Sequence, residues 1–308
     1  MMYVNNYKNI EWIDLENPTQ DEARTLVEKY NVDPLIADEL LAPSARSRVD
    51  SYSDFIYLIL HFPSGEPKAS SMEETRNVHE VDFIIGKNVI ITTRYKAVDE
   101  LHEFSKVFEV NSILDRSDMG DHAGFVFFYM IQHFYGILNS RIENTRDLLN
   151  EIEERIFKGD EKEMVYELAK INWLLLTYKE ALSLHKDVLE SFEKVASQFF
   201  ETSFSHHLKS IVGEYYRVQG TLYSAKEYLN ELRTTNDTLL ATKQNEIMKT
   251  LTVTTFVVLP LSLIAGIFGM NTESMPFIGN PDDFLIVLSI MLSLAILMFA
   301  FFRYKKWL

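Results

Sequence analysis

Up to about residue 120, short runs rich in β-branched and aromatic residues alternate with short amphipathic ones, the pattern of a mixed α/β domain. Residues 12–15 read as a strand. Thr19, with Glu22 three residues on, is a capping box that opens a helix. Asp33-Pro34 opens a second helix that runs through Leu41. Residues 55–62, ended by Pro63, are a strand. Residues 81–85 and 89–93 are two more, folded about a hairpin turn at Gly86-Lys87-Asn88.

From Asp121 the period changes to that of helices. Asp121 is the expected cap of a helix reaching Phe157, stopped by Gly159, and a second long helix is expected over residues 160–200. The turn between them makes residues 121–203 an antiparallel helical hairpin. Its many Glu, Lys and Arg residues read as a solvated face. A stalk helix follows over residues 204–249. There Leu208, Ile211, Tyr215, Val218, Leu222, Ala225, Leu229, Leu232, Asn236 and Leu239 recur at steps of three and four. After one shortened step the rhythm resumes through Asn245, Met248, Thr252, Thr255, Leu259, Ser262, Gly266 and Gly269. A helix of this length extends on the order of 90 Å at about 1.5 Å per residue. The spacing predicts that copies of it meet around an axis.

Residues 250–270 and 284–302 carry no charge, and each is long enough to cross the hydrocarbon core of a bilayer. Lys243 and Lys249 precede the first run, and Arg303, Lys305 and Lys306 follow the second in the tail 303–308. The connecting loop 271–283 has no Lys or Arg, but it holds Glu273, Asp282 and Asp283. This asymmetry places both termini in the cytoplasm and the loop outside. Polar and small residues on the seam of the first run are compatible with a water-filled path or with close helix packing. Pro260 removes one backbone hydrogen bond from that run.

Composition narrows the chemistry. A net charge of −15 argues against nucleic acid as a partner. The chain has no cysteine, so neither disulfides nor thiolate metal sites arise. Residues 1–12 contain no apolar signal core. No nucleophile–base constellation, glycine-rich phosphate loop or metal-ligand quartet stands out, so an enzyme and a resident cofactor are not expected. His206 and His207 read as surface residues.

At Gly269-Met270-Asn271, the outer end of the first of two C-terminal spans, the sequence resembles the CorA family of divalent metal-ion transporters. The stretch from Asn245 to Lys249, Leu251-Thr252, Pro260-Leu261 and Ala265-Gly266 are similar to that family's pore helix. The closing Lys305-Lys306-Trp307-Leu308 looks like its basic tail, and Leu60-His61-Phe62-Pro63 like part of its soluble domain. The resemblance implies an α+β membrane protein: a cytoplasmic α/β domain, helical hairpin and stalk, and two transmembrane helices, assembled as a homopentameric funnel in the cell membrane. It implies uptake of Mg²⁺, with Co²⁺ or Ni²⁺ as further cargo. Asn271 would be the outer selectivity ring, with Gly269 and Met270 shaping its turn. Ser262 and Gly266 would come next inward, then Leu259, Leu251 and Met248 as hydrophobic constrictions and Asn245 near the cytoplasmic mouth. Periodicity puts Thr252 on the pore side where the family pattern puts Leu251. Glu273, Asp282 and Asp283 would concentrate cations outside.

The family's magnesium channels hold regulatory ions between soluble domains, using an acidic residue on the stalk. Near that place this chain has Lys209, Ser210 and Glu214. The resemblance therefore suggests Glu214, together with Glu80 and Asp82 or the nearby Glu73 and Glu74, as ligands of a regulatory ion. The departure keeps a zinc transporter of the same family as an alternative. A membrane-anchored oligomeric sensor or scaffold is the alternative of another class.

Overall fold

The computed structural model describes residues 2–44, 46–63, 78–114, 120–200, 204–270, 282–305 and 307. The chain divides into two compact units, Met1–Arg233 and Thr234–Leu308.

The first unit is built on a six-stranded sheet of order β1-β2-β6-β5-β4-β3. Its strands are β1 (Met2–Tyr7), β2 (Ile10–Glu16), β3 (Arg48–Ser51), β4 (Phe55–Pro63), β5 (Val78–Gly86) and β6 (Val89–Arg94). Only β2 and β6 pair in parallel; the other neighbours are antiparallel. The expected strands and the β5–β6 turn are present. β1 and β3, at the two edges, were not anticipated. β1 exposes Tyr3 and Val4 and carries Asn5 and Asn6, so it lacks the alternation that marks a half-buried strand.

Helices cover both faces. On one lie α1 (Gln20–Tyr30) and α2 (Pro34–Glu39), whose Leu26, Ile36 and Ala37 pack with Ile13, Leu15, Tyr57, Ile59 and Ile91 of the sheet. Against the other face lie α3 (Asp99–Leu114) and α4 (Ala123–Lys158). There Trp12 meets Phe104 and Phe108 edge-on, Phe83 meets Phe127, and Phe62 meets Phe134. Because β4 is covered on both sides, its residues form a continuous apolar run.

Local chemistry sets the helix ends. The capping box forms: Thr19 Oγ1 accepts from the Glu22 N–H at 3.3 Å and the Glu22 carboxylate from the Thr19 N–H at 2.9 Å. Asp33 caps α2 through the Leu35 N–H at 2.8 Å. This helix stops at Glu39, short of the expected Leu41. The bonds beyond tighten to Leu41 N–H···Asp38 C=O and Ala42 N–H···Glu39 C=O, and Pro43 bars Ala42 from helical geometry. The N-cap of α4 is His122 rather than Asp121, and its side chain makes no capping bond. Instead the first amide, Ala123 N–H, donates to the Lys87 carbonyl at 2.7 Å, which fastens the helix start to the β5–β6 turn. Gly159 ends α4 at φ 109°, a left-handed conformation that glycine adopts without cost.

The expected second long helix is two helices, α5 (Glu161–Leu182) and α6 (His185–Phe199), interrupted at Ser183 and Leu184. No proline or glycine marks the break. The Ser183 hydroxyl donates to the Glu180 carbonyl at 2.8 Å, and buried His185 follows at once. Its Nε2 donates to the His61 carbonyl at 2.8 Å, and its Nδ1 accepts from Tyr135 O–H at 2.8 Å. The carbonyl accepts only, so both ring nitrogens and the tautomer are assigned by their partners. The break lets α6 reach the sheet.

Helix α7 (Ser205–Phe268) runs through the division between the units. In the first unit its seam from Leu208 to Leu232 is buried in a single chain. Helix α4 supplies partners: Tyr135 meets Tyr215 edge-on, Thr221 Oγ1 donates to Asn139 Oδ1 at 2.8 Å, and Tyr228 O–H contacts Asn150 and Glu153. Here the expectation that copies of the helix must cover the seam is overturned. The chain covers it with its own helices.

In the second unit, α7 continues and α8 (Asp283–Tyr304) folds back along it. Buried Val253 and Phe302 mark their contact, with the rings of Phe256 and Phe302 6.4 Å apart.

Candidate functional site

Helix α7 and the residues Phe284–Tyr304 are each long and apolar enough to cross a membrane, and their apolar segments are almost wholly exposed in the isolated chain. The side of α7 turned to α8 carries Val253 buried and Val257, Pro260, Leu261 and Ile264 half-buried. The other side presents Met248, Thr255, Leu259, Ser262 and Gly266, all exposed, with Leu259 at 62 %. Asn245, one turn before Met248, is also exposed. Adjacent residues sit about 100° apart on a helix, so Leu251 and Thr252 take opposite edges of this open face. Leu251 is exposed and Thr252 half-buried.

Four threonine hydroxyls on this stretch share one arrangement. Thr252 Oγ1 donates to the Met248 carbonyl at 2.7 Å, and Thr255 Oγ1 to the Leu251 carbonyl at 2.8 Å. Thr250 and Thr254 bond back to Glu246 and Thr250 in the same way. With each proton committed to a backbone carbonyl, the oxygens offer lone pairs outward. They suit donors such as the waters around a cation. A Cβ added at Gly266 meets nothing within 4 Å, so packing inside one chain does not require glycine there. At Gly269 an added Cβ would come within 2.9 Å of the Ala265 carbonyl oxygen. That same oxygen accepts the Gly269 N–H at 2.9 Å, and glycine permits this tight end to the helix. Met270 is exposed beyond it. Asn271 and Glu273 lie outside the described residues, as do Lys306 and Leu308 of the tail. Asp282 is exposed ahead of α8, and Asp283 is that helix's first residue.

The three acidic residues considered for a regulatory ion have different surroundings. Glu214 is paired with Arg217 at 2.6 Å on α7. Glu80 and Asp82 point from β5 into the interior of their own domain, and Asp82 is 1 % exposed. Glu80 accepts the Ser44 N–H at 2.8 Å and lies 3.3 Å from His61 Nε2. Asp82 accepts from Tyr95 O–H at 2.9 Å. Glu80 and Asp82 are thus buried carboxyls within a single chain. Glu73 and Glu74 lie outside the described residues, among which no three His, Asp or Glu side chains group to hold a metal. His206 is exposed as expected. His207 instead packs among Phe125, Phe128 and Phe204. Sequence reasoning missed the role of His185, for which a lone histidine inside a helical stretch carries no signal.

Comparison with known proteins places this geometry. The family model described as CorA-like Mg²⁺ transporter protein matches residues 7–306. The cobalt/magnesium transport protein CorA of Thermotoga maritima is 25 % identical over 309 residues, covering 96 % of this chain and 83 % of the relative. That of Methanocaldococcus jannaschii is 24 % identical over 304 residues, covering 96 % and 91 %. The solved complete structure of the CorA magnesium transporter from Methanocaldococcus jannaschii superposes with a TM-score of 0.81 at 19 % identity, covering 99 % of this chain and 94 % of that one. A sheet domain followed by long helices and two apolar C-terminal helices is thus a shared architecture, and the chain belongs to the CorA-like Mg²⁺ transporter family.

Proposed function

We propose that this chain is the subunit of a channel that admits Mg²⁺, and with it Co²⁺ or Ni²⁺, down the membrane potential. The observation that carries the reading is the open face of α7. It is apolar enough for a membrane helix, yet it is left uncovered by α8 and carries hydroxyls with outward lone pairs. A polar stripe in a membrane segment calls for a protein partner or water. Five copies around an axis would supply both, and family membership supports that number. Asn271 would ring the outer mouth, with Ser262 and Gly266 below it. Leu259 and Met248 would be apolar constrictions that close the path by dewetting, and Asn245 would face the inner mouth.

Mg²⁺ sheds its waters reluctantly, so a path that hydrogen-bonds the hydrated ion avoids the cost of stripping it. An inside-negative potential contributes about 2.3 kcal/mol per charge per 100 mV, doubled for a divalent ion. No hydrolytic site is needed to drive entry. Both termini would lie in the cytoplasm, with Glu273, Asp282 and Asp283 gathering cations outside. Glu214, together with Glu80 and Asp82 or Glu73 and Glu74, would hold a regulatory ion. Purified protein in liposomes, assayed side by side for Mg²⁺, Co²⁺, Ni²⁺ and Zn²⁺ uptake, tests the reading. Mg²⁺ flux that grows with an inside-negative potential is expected. Zinc uptake alone would favour the zinc branch, and no flux of any ion would favour a scaffold.

A further inference from the structure

The end of α8 is closed by its own tail. The helix reaches Tyr304, and Trp307 N–H then donates back to the Phe302 carbonyl at 2.9 Å. This bond carries the Trp307 ring onto Phe302, the apolar contact that accompanies such a helix end. The two rings lie 6.0 Å apart, and Phe302 in turn meets Phe256 of α7 at 6.4 Å. Phe302 is buried, whereas Trp307 is half-exposed and its indole N–H has no acceptor among the described residues. Arg303 and Lys305 leave the helix on either side of Phe302, by about 100° and 60°, and both are exposed. Neither makes an ion pair among the described residues. Lys249 of α7 precedes buried Val253 by one turn, so it stands about 6 Å beyond the contact with α8, at the tail's end of the hairpin. Between Lys243 and Val253, Glu246 is the one carboxylate. Earlier on α8, Ile296, Leu297 and Phe299 are exposed.

We propose that this end of the hairpin is a binding site for the phosphate of an anionic phospholipid, held by Arg303, Lys305 and Lys249 beside the Trp307 ring. A basic patch by itself attracts any anion. This one borders two apolar segments long enough to cross a bilayer, so the anion presented to it at high density is a lipid headgroup. The Arg303 guanidinium can grip a phosphate through two N–H groups at once, and the lysines add point charges. The Trp307 ring suits the headgroup level: its apolar body rests on Phe302, and its free N–H can donate to a phosphate or ester oxygen. Each basic side chain near an anionic surface is worth about fivefold in affinity, so Arg303 and Lys305 together give a preference on the order of 25-fold over a zwitterionic lipid with the same chains. A phosphate held by Lys249 and by Arg303 or Lys305 ties the base of α7 to that of α8. The inference needs the two helices in a bilayer and not that ions cross it, so it stands apart from the channel reading.

Native mass spectrometry of the detergent-purified full-length protein tests this, with phosphatidylglycerol and phosphatidylcholine of the same acyl chains supplied in equal amounts. Preferential retention of phosphatidylglycerol is expected, falling about fivefold in Arg303→Gln and again by about that factor when Lys305→Gln is added. Equal retention of the two lipids by the wild type overturns the proposal, as does a preference that survives intact in the double variant. Inorganic phosphate in excess is expected to leave the bound lipid in place. Its displacement of the lipid would make this a site for free anions and overturn the proposal as well. Should the double variant not yield intact protein, the wild type in bilayers decides. Trp12 and Trp173 belong to the first unit, and Trp307 is the one tryptophan in the second. Bromine near the headgroup end of phosphatidylglycerol chains is expected to quench Trp307 fluorescence more than the same bromine on phosphatidylcholine at equal mole fraction. Equal quenching overturns the proposal.

Discussion

At the scale of single residues, Asn271 and His185 carry the sharpest expectations. The amide of Asn271 offers an acceptor for the water shell of a cation and donors to hold its own turn, whereas alanine offers neither. Asn271→Ala is expected to abolish Mg²⁺ flux in liposomes while assembly by native mass stays unchanged. Even ~1 kcal/mol per hydrogen bond becomes decisive when repeated around a ring. Asn271→Asp keeps the size but clusters carboxylates, so reduced flux with stronger block by other divalents is expected. His185 works through neutrality. Burial lowers its pKa from 6.5 to about 4, against the backbone hydrogen bond to His61 that favours the charged ring. The unfolded chain takes up the ring's second proton first. The contribution to stability is therefore complete above about pH 6.5 and is lost progressively towards about pH 4, up to roughly 3 kcal/mol. Denaturation of His185→Phe against the wild type should show a shallower acid slope in the variant, whatever its baseline stability.

At the scale of elements, what was legible depended on whether the signal was local. The capping box of α1, the Asp33-Pro34 start of α2 and Gly159 after α4 are complete in a few residues, and each operates as written. The break between α5 and α6 depends on His61 and Tyr135, far away in sequence, and could not be read from Ser183 and Leu184. Periodicity along α7 identified a buried face from Leu208 to Leu232 but not its cover, which turned out to be the same chain. Further along the same helix, the same spacing picks out a face that the chain leaves open. The two halves should therefore fail differently. Val218 is fully buried, and Val218→Asp would set an unpaired charge in the core, with a loss on the order of 4 kcal/mol or more and a collapse of the melting temperature. Gly266 has open space around it, so Gly266→Leu should leave the unfolding transition of the soluble unit in place. Its flux should be lost, because five added side chains would converge on the axis. Full flux in Gly266→Leu would remove this face from the pore.

At the scale of the whole molecule, orientation decides whether the chemistry has a direction. Lys243, Lys249, Arg303, Lys305 and Lys306 flank the two apolar runs on one side, and the loop between the runs has acidic residues only. Basic flanks stay in the cytoplasm during insertion, so the loop would lie outside, where Asn271 would meet incoming cations. The same orientation would set the large acidic unit inside the cell, where the chain's net charge of −15 would draw ions away from the inner mouth. A chain without cysteine makes the arrangement directly measurable, since a single introduced thiol reports alone. Ser274→Cys in intact cells is expected to react with a membrane-impermeant maleimide added outside. A cysteine appended after Leu308 should react only after the cells are opened. Labelling in the reverse order would put the acidic loop in the cytoplasm and leave the potential opposing entry through Asn271. The filter would then sit at the exit, and the assignment of uptake would fail even if the purified protein conducts Mg²⁺.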